Sequence, residues 1–200
     1  MAKTLDFIFD FGSPNAYLAL KALPPVLLRT GARLNIVPCL LGGVFKLTNN
    51  KAPLVAFADV KGKNAYDMLE MRRFVEKHGL SRFRLNPHFP VNTLRLMRGL
   101  VAAEELGVED ACLEAGLAAM WEEGLKMDDP VVLRDALRSN GLDADAILAL
   151  AENQRIKDRL TANTENAVAR GAFGVPTFFV GEEMFFGKER LGQIEEMLLA

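Results

Sequence analysis

The sequence predicts an α/β fold in which a small framework of strands and helices, divided between the two ends of the chain, carries a large all-helical insertion. Three observations support that prediction. Apolar residues alternate with a period of two only near the two ends, a helical pattern fills residues 45–151, and glycine and proline punctuate each change of period.

Thr4 to Phe11 alternates Leu5, Phe7, Phe9 and Phe11 against Asp6 and Asp10, the pattern of a strand with one apolar face. Gly12-Ser13-Pro14 breaks it. Asn15 to Thr30 then places Ala16, Leu20, Leu23 and Leu27 at helical spacing. Ser13 caps this helix, Pro14 sits in its first turn, where a missing N–H costs nothing, and Gly31 closes it. Leu34 to Pro38 resumes as a second strand. After Gly42-Gly43 the chain becomes rich in Leu, Ala, Met, Glu and Arg. Helices are expected over Asn64 to His78, Pro90 to Leu106, Glu109 to Gly124, Pro130 to Asn140, Asp143 to Glu152 and Arg155 to Arg170. The period of two returns in Thr177 to Val180 and, across a Gly181-Glu182 turn, in Glu183 to Phe186, which reads as a β-hairpin. Lys188 to Leu198 closes the chain as an amphipathic helix. The order β-α-β, helical block, α-β-β-α is that of a thioredoxin-like fold with a large all-helical insertion. Residues 1–43 and 155–200 are expected to form the thioredoxin-like domain and 44–154 the inserted helical domain, with a cleft between the two as the natural place for a ligand.

Composition excludes several classes of function. At 200 residues with half of them hydrophobic, the chain can bury a core without disulfides or structural metals. Its 24 Lys and Arg nearly balance 26 Asp and Glu, and no basic block stands out, so nucleic acid is not an expected partner. The amino-terminal apolar run is broken by Asp6 and Asp10, unlike a secretory signal, and no later run is long enough to span a bilayer. Cys39 and Cys112 are too far apart for a Cys-x-x-Cys pair and sit among apolar neighbours. A cytoplasmic location with no membrane partner is the expectation. His78 and His88 have no second ligand at metal spacing and read as surface residues, so no metal is expected, and neither a nucleophile elbow nor a phosphate loop is present. Trp121, Phe45 and Phe89 could line an aromatic pocket, although aromatics on helix faces are more often core.

The chemistry concentrates at three places. In thioredoxin-like proteins the first strand runs into a helix that usually opens Cys-x-x-Cys, because the helix N-terminus stabilises a thiolate. This chain has Ser13-Pro14-Asn15-Ala16 there, so it cannot form a mixed disulfide. A hydroxyl at that helix end can instead donate to the thiolate of a bound thiol. Taken alone, Ser13 reads as a helix cap. The second place, Gly174-Val175-Pro176-Thr177 just before the hairpin, changes that reading, because in thioredoxin-type folds this proline is cis and turns the preceding backbone outward, where a cysteinyl unit can pair as an added strand. The third is Phe185 to Arg190, where a strand ends and a helix opens with free amide donors suited to a carboxylate. Singly, Lys188 and Glu189 read as solvated charges at a helix start.

Phe9-Asp10-Phe11-Gly12-Ser13-Pro14-Asn15-Ala16-Tyr17-Leu18 resembles the opening of the 2-hydroxychromene-2-carboxylate isomerases and the kappa-class glutathione transferases, within the DsbA-like thioredoxin-fold superfamily. The resemblance continues through Lys63-x-x-Tyr66 followed by Arg72 or Arg73, through Phe89-Pro90-x-Asn92-Thr93, through Asn163 to Thr177, and through Phe186-Gly187-x-x-Arg190, covering nearly the whole chain. It implies that Ser13 holds the glutathione sulfur, that Val175 with Pro176 pairs its main chain with the cysteinyl unit, and that Lys188 and Glu189 fall where the γ-glutamyl end binds. Family members often have Ser-Asp or Asn-Asp there, so Lys188 is a departure. Asn49 and Lys63 match positions that approach the glycyl end or the substrate, with Asn50 as the alternative to Asn49. Asn15 stands where an aromatic residue is more usual. The implied activity is a glutathione-dependent isomerisation of 2-hydroxychromene-2-carboxylate to trans-o-hydroxybenzylidenepyruvate in aromatic-hydrocarbon catabolism, by a homodimer acting on a small aromatic substrate. Two alternatives stay open: a kappa-like glutathione transferase, and a non-catalytic thioredoxin-fold binding protein.

Overall fold

A computed structural model describes residues 3–200; residues 1 and 2, which the amino-terminal reading included, lie outside the described residues. The framework begins with β1 (Thr4–Phe9), α1 (Pro14–Ala22), α2 (Pro24–Thr30) and β2 (Arg33–Pro38). The helical block comprises α3 (Leu41–Thr48), α4 (Pro53–Ala56), α5 (Lys63–Lys77), α6 (Leu94–Glu105), α7 (Glu109–Trp121), α8 (Pro130–Ser139) and α9 (Ala144–Ala151). Then come α10 (Gln154–Ala169), β3 (Thr177–Val180), β4 (Glu183–Phe186), a 3-10 turn at Lys188–Arg190 and α11 (Leu191–Leu199). The four strands form one mixed sheet in the order β2-β1-β3-β4. β1 runs parallel to β2, with Thr4 opposite Arg33, and antiparallel to β3, with Phe7 opposite Phe178. This is the expected thioredoxin-like sheet with a helical insertion.

Alternation along β1 sets the two layers. Leu5, Phe7, Phe9 and the following Phe11 bury completely in a large core, where the Phe7 ring stacks on Phe178 at 4.5 Å between centroids. That core continues without a break into Leu96 and Leu100 of α6 and Leu117 and Trp121 of α7, so framework and insertion share it. The opposite face carries Ile8, which packs with Cys39, Val44, Ala167, Val175 and Phe179 in a second cluster beneath α3 and α10. Burial of these apolar faces is the main stabilising contribution, about 25 cal/mol per Å² of apolar surface.

Three local differences from the sequence reading have physical causes. The single helix expected from Asn15 to Thr30 is two, because Pro24 has no N–H to continue α1 and instead opens α2 in its first turn. Gly42 and Gly43, after which the helical character was expected to begin, already lie inside α3. A Cβ on Gly43 would sit 3.0 Å from Thr164 Cγ2, so the glycine allows α3 to approach α10 closely. The helix expected from Pro90 begins only at Leu94, after the cis Phe89-Pro90 bond and after Thr93, whose hydroxyl is engaged by Asp10. None of the described helices is long and apolar enough to cross a membrane.

Candidate functional site

The turn between β1 and α1 is held from below by Asp10, which is fully buried. One carboxylate oxygen accepts from Gly12 N–H at 2.8 Å and from the Thr93 hydroxyl at 2.7 Å, and the other accepts from Leu41 N–H at 2.7 Å. Three segments therefore meet at one side chain: the Ser13 turn, the first residue of α3 and the cap residue of α6. Burial pushes the Asp10 carboxyl above its ordinary value, while the Leu41, Gly12 and Thr93 donors pull it back. Trp121 adds a second tie, its indole N–H donating to Phe11 O at 2.8 Å.

On this base Ser13 adopts the extended backbone of a helix cap, and its hydroxyl accepts from Ala16 N–H at 3.2 Å. The same hydroxyl donates to the Val175 carbonyl at 3.0 Å, joining the two ends of the chain. Val175-Pro176 is a cis peptide, and Gly187 N–H donates to Pro176 O at 3.0 Å, so β4's exit is fastened to the same loop. Ser13 and Val175 are both nearly buried, and the Val175 N–H has no hydrogen-bond acceptor among the described residues. Buried backbone donors without an acceptor are rare.

Ser13, Val175, Pro176 and, through Gly187, the start of the Lys188–Arg190 turn are thus brought together. Lys188 corrects the reading of it as a solvated charge: it is 5% exposed, lies 5.5 Å above the Phe74 ring of α5, and pairs with the carboxylate of Glu189. Asn49 caps α3 in the left-handed region at φ 54° and is exposed. Asn50, not Asn49, reaches the other loop, its amide donating to Phe173 O at 2.8 Å. Lys63 stands at the start of α5, 5.0 Å above the Phe57 ring, with its ammonium on Asp67 one turn on, so its charge is shared inside its own helix. Asn15 Oδ1 is buried without a partner beside Ser13.

Among the other aromatics considered as pocket lining, Trp121 is wholly buried and stacks near Phe83, which makes it core; Phe89 is 38% exposed. An exposed aromatic pair outside those considered as pocket lining, Phe173 and Phe186, flanks the Val175 loop with centroids 4.4 Å apart. Burial holds the Cys39 thiol far above its ordinary value and pushes the Cys112 thiol up to about 12, so neither is a thiolate near neutral pH. Among the described residues no group of three or more His, Cys, Asp or Glu could hold a metal ion.

Asp10 and Thr93 stand in stretches that carry the resemblance but were not expected among the site residues. By residue chemistry alone they are an acid between two phenylalanines at a strand end and a threonine inside an expected helix, and neither pattern specifies the partner 83 residues away.

Comparison with known proteins agrees with this architecture. The DSBA-like thioredoxin domain matches residues 4–199, and the chain belongs to that family. A 2-hydroxychromene-2-carboxylate isomerase of Sphingobium xenophagum is 29% identical over 201 residues, covering all of both chains. Glutathione S-transferase kappa 1 of Homo sapiens is 24% identical over 217 residues, covering 99% of this chain and 92% of its own. A solved structure of a 2-hydroxychromene-2-carboxylate isomerase superposes with a TM-score of 0.82 at 27% identity, covering 98% of this chain and 94% of that one.

Proposed function

We propose that this protein is a glutathione-dependent isomerase that interconverts 2-hydroxychromene-2-carboxylate and trans-o-hydroxybenzylidenepyruvate or a closely related aromatic acid. The observation that carries the proposal is the Ser13 hydroxyl at the N-terminus of α1, bonded to the Val175 carbonyl where a redox relative would present a cysteine. Bound glutathione supplies a nucleophilic thiol that is regenerated in each cycle.

The residues present fit such a thiol. Val175 offers an unpaired N–H to a cysteinyl carbonyl, and its own carbonyl can take a cysteinyl N–H in place of the Ser13 hydroxyl. That exchange releases the serine proton to donate to sulfur, while the α1 terminus favours the negative charge. The Gly187 to Pro176 bond, which ties the Lys188–Arg190 turn to the same loop, supports Lys188 and Glu189 as contacts of the γ-glutamyl end, and the Asn50 bond to Phe173 supports a contribution from the helical block, in which Asn49 or Asn50 and Lys63 are the proposed contacts. Lys63 supplies a cation for the substrate carboxylate once it leaves Asp67. The isomerase and transferase names of the relatives support an enzyme of this kind, and a cytoplasmic homodimer is part of the same reading.

Mixing the protein with glutathione and the chromene acid should change the ultraviolet spectrum only when all three are present. A change that needs no glutathione, or none at all, rejects the isomerase. The kappa relative favours a second reading, a transferase that leaves a stable conjugate. Faster turnover of 1-chloro-2,4-dinitrobenzene than of the chromene acid would support it.

A further inference from the structure

Asp10 is the only acidic residue that is fully buried among the described residues. Asp6, in the same strand pattern, answers Arg170, whereas no ion pair reaches Asp10 among the described residues. Its three donors are Gly12 N–H just before α1, Leu41 N–H at the start of α3, and the hydroxyl of Thr93 at the cap of α6. The carboxylate therefore lies at the N-termini of three helices, each of which favours negative charge.

The ionisable side chains on the elements around it are Tyr17 and Lys21 of α1, Cys39 after β2, Lys46 of α3, and Arg95 and Arg98 of α6. None of them bonds to Asp10. Tyr17 donates to Glu122, Lys21 pairs with Glu114, and Cys39 is a thiol kept neutral by burial and by the Asp10 charge. From α10 the nearest tie is Thr164, whose hydroxyl accepts from Leu40 N–H, and β3 has no ionisable residue. A turn that needs only an acceptor for Gly12 N–H is served by Asn or Ser, and a buried carboxylate without a cation costs more than either.

Ser13 stands on the same turn, its N–H donating to the Asp10 carbonyl at 3.2 Å. The α1 terminus and the Ser13 hydroxyl both draw a bound thiol toward thiolate, and a thiolate loses nucleophilic strength as its pKa falls. A fixed negative charge on that turn acts in the opposite direction. We propose that Asp10 is a positioning residue for the thiol chemistry at Ser13: it fixes the turn through Gly12, and its negative charge opposes that of the bound thiolate. On the glutathione reading of the site, on which this rests, Asp10 and the thiol titrate as a coupled pair. Whichever ionises second does so at higher pH than it would alone.

The test follows both groups in the full chain, the thiol of bound glutathione by its ultraviolet absorbance and Asp10 by NMR of its carboxyl carbon. Asp10→Asn removes one partner, and S-methylglutathione, which has no thiol to ionise, removes the other. The group that ionises second should then titrate about one pH unit or more lower, roughly a tenfold change in proton affinity. An Asp10 that only holds the turn leaves the thiol where it was or, by loosening Ser13, moves it up. Asp10→Ser keeps an acceptor for Gly12 N–H without a charge, and it replaces the Asn variant if that protein misfolds. Midpoints that stay put under both removals overturn the proposal, as does a thiol that moves up in the variant. Calorimetry separates this failure from that of the site itself. Wild-type protein that does not bind glutathione loses both readings, whereas bound glutathione that titrates independently of Asp10 removes this inference alone.

Discussion

The hydroxyl of Ser13 is shared between its own helix and the opposite end of the chain: it accepts from Ala16 N–H at 3.2 Å and donates to Val175 O at 3.0 Å, across 162 residues. One atom therefore serves as a helix cap and as the clasp between the β1–α1 turn and the loop that precedes β3. Ser13→Ala should keep the fold but lose about 1 kcal/mol of capping. Turnover should fall by about tenfold to a thousandfold, the range for removing one donor aimed at developing charge. The bound thiol should also titrate at higher pH, read from thiolate absorbance. A wild-type rate in the variant removes Ser13 from the mechanism.

Asp10 offers a test by pH. Its carboxyl is raised above the usual 3.8, with burial the largest cause. Raising an acid in the folded state means that the native protein binds the proton more tightly than the unfolded chain does. The stability it contributes is complete below the unfolded value and is lost as pH rises through the folded value. Asp10→Asn cannot titrate. Urea unfolding across that range should show the wild-type protein losing stability relative to the variant as pH rises. Parallel pH profiles for the two proteins would show that Asp10 titrates alike in both states.

Lys188 is buried whereas the carboxylate it pairs with is half exposed, at 52%. Removing the lysine therefore leaves Glu189 solvated rather than stranded, and Lys188→Met should fold with little change in stability. If the ammonium receives the γ-glutamyl carboxylate, KM for glutathione should rise about tenfold while kcat stays nearly constant. An unchanged KM excludes Lys188 from the ligand.

Gly116 of α7 lies under the Phe11 ring, where a Cβ would come 2.5 Å from Cε1. Phe11 is fully buried and its carbonyl holds Trp121, so the ring has nowhere to retreat. Gly116→Ala should cost about 1–3 kcal/mol by overpacking, seen as a lower thermal midpoint. Activity should decline too, since Phe11 precedes the Ser13 turn by two residues. A variant as stable as the parent would mean that α7 shifts to admit the methyl.

Much of the framework is legible from pattern because strand alternation and helix punctuation are local. Phe7 and Phe178 are a case in point. Each announces a buried strand position by its own neighbours, and their stacking follows once the strands pair. The helix break at Leu23 was equally available, since Pro24 forbids continuation, but the apolar spacing of Leu20, Leu23 and Leu27 ran across it. Asp6 and Asp10 mark the limit. They share a strand pattern, yet Asp6 pairs with Arg170 at the surface while Asp10 lies completely buried among three donors. Likewise nothing near Lys188 in the chain foretells the Phe74 ring from α5 that covers it.

By itself the sequence determined the fold class, the absence of a cysteine pair and the place of Ser13 at a helix start, because each depends on residues within one or two turns of one another. Only the tertiary structure decided that Ser13 would clasp Val175, that Asp10 would tie three segments together and that Lys188 would be buried. Those outcomes depend on which distant groups are brought into contact when water is excluded, and a buried hydrogen bond or a buried charge has no meaning until the chain has closed around it.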